Sequence, residues 1–153
     1  MKKQIAILLA LLCLASVFTG CGAKKELDPQ ALADDLLKNA GFVDSLNKLE
    51  PVIVPMLYAG LSADDYSDVL AYAGTGATAE EIVIFSAKSE DAAKQIRSVA
   101  ETHIKDRIES FKNYGPAASM ALENAVLKQS GKYVVVVVCS DGAAAAKIVD
   151  KYI

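Results

Sequence analysis

His103, Arg107 and Tyr114 are the residues whose types and spacing best suit chemistry. They stand four and seven residues apart within what reads as one long helix, so they share a narrow arc of its surface. An imidazole, a guanidinium and a phenol in one row suit a carboxylate or a phosphate. Arg107 has no acid three or four residues away, where the chain holds His103, Ile104, Ser110 and Phe111. Its charge therefore lacks the usual helical partner. The plainer account is an edge row beside the apolar stripe, with the Arg107 stem on apolar neighbours and its head in water.

Other chemistry is thin. His103 is the single histidine, which argues against a histidine metal cluster and against a Ser-His-Asp triad. Gly74-Thr75-Gly76 joins two strand-like stretches, whereas a phosphate loop runs from a strand into a helix N-terminus. The acid pairs Asp64-Asp65, Glu80-Glu81 and Glu90-Asp91 fall at turns or helix starts, where capping and solubility account for them. Cys139 lies in the apolar run Tyr133–Ser140 and reads as a small buried hydrophobe. No catalytic residue, metal or cofactor is expected from these patterns.

Cys21 carries a different chemistry. Lys2 and Lys3 precede an apolar run from Ile5 to Leu12, which continues through Leu14, Ala15, Val17 and Phe18 and ends at Thr19-Gly20-Cys21. A positive start, a short apolar core and small residues at its end make a cleavable export signal. The run is short for a membrane span, which needs roughly 20 residues. Gly20-Cys21 resembles the lipobox of bacterial lipoproteins, with Phe18 where leucine is usual. On that resemblance residues 1–20 are a signal peptide, with residues 4–18 expected as a helix apart from the domain. Cys21 is the lipid-bearing first residue of the mature chain, residues 21–27 form a short tether, and residues 28–153 form a single domain. The expected location is the extracytoplasmic face of the cell membrane, held there by the N-terminal lipid.

Charge narrows the partners further. The chain has 16 Lys+Arg against 19 Asp+Glu; without Lys2 and Lys3 the mature chain keeps 14 against 19. That acidic balance argues against nucleic acid, which favours a basic face. With Cys21 acylated, Cys139 is the one thiol left, so no internal disulfide supports the domain.

The elements that must position these residues follow from pattern. Asp28-Pro29 opens a helix with Leu32, Leu36 and Leu37 on one face, ended by Gly41. Residues 42–60 are broken by Pro51 and Pro55, with a turn or two of helix around Met56–Tyr58. Val69–Tyr72 and Ala79–Ala87 read as strands of a hairpin, and Ser89 caps a long helix reaching about Asn113. Gly115-Pro116 stops it. Strands at Ala125–Lys128 and Tyr133–Ser140 follow, then a helix capped by Asp141.

The order strand, turn, strand, cap, helix thus occurs twice. The expected fold is α+β: a four-stranded antiparallel sheet from two ββα units, with both unit helices on one face, preceded by an N-terminal helical segment. Val134–Val138 is apolar at every position rather than alternating, so both faces of that strand need cover. The segment Asp28–Gly60 is expected to supply it on the far face.

Several stretches resemble the bacterial lipoprotein family labelled domain of unknown function 4358 (DUF4358). They are Leu57-Tyr58-Ala59-Gly60, Gly76–Ile82, Phe111–Pro116, Leu122–Ala125 and Gly131–Val134. The resemblance implies an exported lipoprotein and no particular activity. The favoured function is a non-enzymatic, membrane-anchored module that binds a ligand or an envelope protein partner. The rival is an envelope enzyme or enzyme inhibitor with its site at His103, Arg107 and Tyr114, or at Cys139. A concave site gathering these polar groups would favour the rival, and an exposed apolar patch the module.

Overall fold

The computed structural model describes residues 26–113 and 115–153. The signal-peptide helix expected over residues 4–18, Cys21 and Tyr114 lie outside the described residues. In chain order the elements are α1 (Pro29–Asn39), β1 (Asn47–Lys48), a 3-10 turn (Pro51–Ile53) and α2 (Val54–Leu57). There follow β2 (Tyr66–Ala73), β3 (Glu81–Ala87), α3 (Glu90–Phe111) and α4 (Pro116–Glu123). The chain continues through β4 (Val126–Ser130), β5 (Tyr133–Val138) and α5 (Gly142–Val149).

Local chemistry sets the boundaries. Asp28 Oδ1 accepts the amides of Gln30 and Ala31, both at 3.0 Å, and Pro29 sits where its missing N–H costs nothing. Gly41 follows α1 with φ of 72°, a conformation that favours glycine. The Ser89 side chain accepts from Ala92 N to start α3, and Glu90 and Asp91 fill its first turn. Asp141 does the same for α5 through Ala144 N.

The sheet has five antiparallel strands in the order β1-β2-β3-β5-β4. The two hairpins meet along β3 and β5, with Ile84 opposite Val135 and Glu81 opposite Val138. Both apolar strands are therefore internal, and every valine from Val134 to Val138 is fully buried. Their side chains alternate between two cores. Ile82, Ile84, Val135 and Val137 pack with Leu32 and Leu36 of α1 and with Ala145, Ile148 and Val149 of α5. Val83, Phe85, Val134 and Val136 pack with Ala93, Ile96 and Ala100 of α3 and with Val54 and Tyr58.

Two expectations need correction, and one helix was not expected. The sheet has five strands rather than four; β1 is two polar residues pairing with Tyr72 and Ala73, too short to show a period. The stretch after Gly115 is the helix α4, because Pro116 ends one helix and occupies the first turn of the next. Finally, α3 and α5 lie on opposite faces. The 22 residues of α3 extend about 33 Å and cross β3, β5 and β4. Where β5 ends, that face is already filled by Phe111, Ala118, Ala121 and Leu122 around Val138. The chain leaving Val138 finds its free apolar surface on the other side, beside α1.

The far face is thus covered by α1 as expected, but together with α5. The second half of the N-terminal segment, with Val54 and Tyr58, turns to the α3 face instead. No helix among the described residues is long and apolar enough to cross a membrane.

Candidate functional site

The antiparallel register places Glu81 at the first position of β3, with its side chain on the α3 face alongside those of Val83 and Phe85. It is 1% exposed. A carboxylate there must find donors or lose its hydration uncompensated. Three donors converge on it. His103 Nε2 lies 3.1 Å from Oε1, Arg107 Nη1 donates to Oε2 at 3.1 Å, and the Tyr58 hydroxyl donates to Oε1 at 3.3 Å.

His103 and Arg107 reach this point because four residues advance a helix by about one turn, and both face the sheet from α3. The His103 ring also has Nδ1 3.0 Å from the Leu57 carbonyl oxygen. A carbonyl only accepts, so Nδ1 carries a hydrogen. The Tyr58 ring stacks on the imidazole at 3.9 Å between centroids, 18° from parallel. Tyr58 also meets Phe85 edge-on at 5.6 Å, and the Arg107 guanidinium lies 5.6 Å over the Phe111 ring. Burial, followed by the Glu81 charge, pushes the Tyr58 phenol well above the ordinary tyrosine range. The phenol therefore stays a donor at neutral pH.

The sequence row is thus brought together in part. His103 and Arg107 share one carboxylate, and Tyr114 lies outside the described residues. The charge of Arg107, unmatched along its own helix, is met by Glu81 from the sheet. Reading Glu80-Glu81 as a solvated pair missed this. The available signal was the strand period, which puts Glu81 in line with Val83 and Phe85, together with an arginine lacking a local acid. Glu80 is also buried, at 3% exposure, on the other side of β3. Its carboxylate accepts the amides of Val43 and Asp44, the latter at 2.8 Å. Asp44 in turn accepts from the Thr75 amide, the Thr75 hydroxyl and the Thr78 hydroxyl, and these bonds hold its carboxyl below the usual range. The turn at Gly74–Gly76 is thereby tied to the loop after α1.

The arrangement is internally complete. Among the described residues no buried side-chain nitrogen or oxygen lacks a partner, and no three His, Cys, Asp or Glu side chains gather as a metal set would. Neither of the two best-formed grooves among the described residues is lined by Glu81, His103, Arg107 or Cys139. Cys139 is buried, and burial pushes its thiol up to about 11, so it is protonated at neutral pH.

Above the network the chain is apolar and open to water. Val52 is 73% exposed and Met56 77%, with Ile53 and Leu57 partly exposed beside them. The Leu57 carbonyl is the group bound by His103, so the apolar turn is pinned to the buried charges.

A family model described as domain of unknown function (DUF4358) matches residues 56–139. The chain belongs to the DUF4358 family. The DUF4358 match runs from Met56 on the exposed turn to Cys139, and so takes in Tyr58, Glu81, His103 and Arg107. It leaves α1, β1 and α5 outside. No curated protein and no solved structure matches the chain.

Proposed function

We propose that this DUF4358 chain is an exported lipoprotein, anchored through Cys21, that works as a non-enzymatic binding module of the cell envelope. The observation that carries the reading is the exposed apolar turn Val52–Leu57 standing on a fully satisfied buried network. An enzyme needs polar groups free to meet a substrate in a cleft. Here the imidazole, guanidinium and phenol are occupied by Glu81, and their effect is to hold an apolar surface in place. Exposed clustered apolar side chains of this kind suit a protein partner, with Met56 adaptable at its centre.

A photo-crosslinking residue at position 56 of the acylated chain, expressed in its own cells, tests this. Adducts are expected at position 56, absent from the exposed control position 105, and lost with Val52→Asp. Equal yields at positions 56 and 105, or none at either, would argue against a partner on this surface.

A further inference from the structure

The buried ring of His103 stands between two oxygens on two different segments. Nδ1 lies 3.0 Å from the Leu57 carbonyl at the end of α2, and Nε2 lies 3.1 Å from Glu81 Oε1 at the start of β3. A neutral imidazole has a single N–H and donates to one oxygen at a time. Keeping both contacts therefore takes one further proton on the His103–Glu81 pair. Without it, Nε2 and Oε1 would set lone pair against lone pair.

The two contacts are not equally dispensable. Glu81 is 1% exposed, so a donor lost there is not replaced by water. Leu57 is 43% exposed and lies at the surface, where water can take over its carbonyl. A ring left with one N–H turns it, by tautomer exchange, to Glu81 and gives up Leu57. The titratable and charged groups facing the ring are Glu81 from β3, Tyr58 just past α2, and Arg107 one turn along α3. Tyr58 stays a donor to Oε1 and Arg107 a donor to Oε2, so neither replaces the missing proton. Asp106, three residues along α3, is exposed, and the strand neighbours of Glu81 are the uncharged Ala73 and Val138.

We propose that His103 is a proton-operated latch on the exposed apolar turn: with the shared proton it pins Leu57, and without it, as pH rises, it keeps Glu81 and releases the turn. This deepens the binding reading above and rests on it for the use of the latch. Val54 and Tyr58, both buried, stay fixed on either side, so the motion is confined to Pro55–Leu57. Met56 and Leu57 then lose the fixed geometry that favours a partner. The pinned state holds one proton more than the released state. Its share relative to the released state therefore falls by up to about tenfold per pH unit.

His103 is the single histidine, so 15N-histidine labelling leaves one imidazole to observe in the full chain. Nitrogen NMR from about pH 5 to about pH 9.5 spans the ordinary titration range of imidazole. A hydrogen is expected on Nδ1 at the acid end; at the alkaline end Nδ1 should be bare and the hydrogen on Nε2. Amide-exchange protection at Leu57 and Tyr58, corrected for the intrinsic effect of pH, should fall about tenfold over the same span. The Ile96–Ala100 amides of α3 should keep theirs, and His103→Gln should show no fall. A hydrogen that stays on Nδ1 throughout overturns the latch. Protection that does not follow the transfer, or that falls equally in His103→Gln, overturns it too. The crosslink from position 56 is run at both ends of the range, with an expected drop of about fivefold at the alkaline end. An equal drop in His103→Gln puts the pH dependence in the partner and overturns the regulation. Hydrogen transfer and a loosened turn with no adduct at either pH refute the binding reading and leave the latch standing.

Discussion

Glu81 decides the character of the candidate site. A carboxylate at the first position of an internal strand is costly unless paired, and three donors from two separate segments pair it. Removing the charge while keeping the shape should therefore be expensive, because Arg107 would keep its charge without a counter-charge and the three donors would face a weaker acceptor. Glu81→Gln is expected to destabilise the domain by about 3 kcal/mol, lowering the urea midpoint by roughly 2 M. A loss below about 1 kcal/mol would mean that the network is relaxed by water and does not pin α3 to the sheet. At this scale the sequence was half legible. It gave His103 and Arg107 as one row and marked Arg107 as lacking a helical partner. It could not give the acid, because Glu81 is 22 and 26 residues away in sequence and is brought close only by hairpin and helix packing. Tyr58 was hidden for the same reason, in a stretch where two prolines erase any period.

Elements were more readable where they were long. The caps at Asp28, Ser89 and Asp141 and the turn at Gly131 fall where residue type predicts, since each rests on chemistry within four residues. The strand β5 was legible as internal because it does not alternate, and β3, equally apolar from Ile82 to Phe85, is internal beside it. What local pattern could not supply was the side of the sheet for α5, which depends on space already filled by α3 and α4. The two-sided cover makes a prediction. Val135 and Val136 face different cores, so Val135→Ala and Val136→Ala should each cost on the order of 2 kcal/mol. Thermal or urea unfolding reads both. If either variant lost less than about 0.5 kcal/mol, one face of the sheet would be open to solvent rather than packed.

For the whole molecule, sheet register and chain order define two opposed ends. One, at Ala87, bears Glu26 and the larger groove; the other bears the Glu81 network at the start of β3, with the exposed turn at Val52–Leu57 fastened to it through His103. In the proposed reading their functional meaning depends on whether lipidation of Cys21 holds one of them at a membrane. The proposed anchor rests on short-range signals in the first 21 residues, and the fold bears on what such an anchor would present. The direct measurement is incorporation of radiolabelled palmitate in growing cells, with membrane fractionation, for the wild-type chain and for Cys21→Ala. The account predicts label and membrane association for the wild type, and neither for Cys21→Ala. Palmitate entering the Cys21→Ala protein, or a wild-type chain that takes up none, would contradict it.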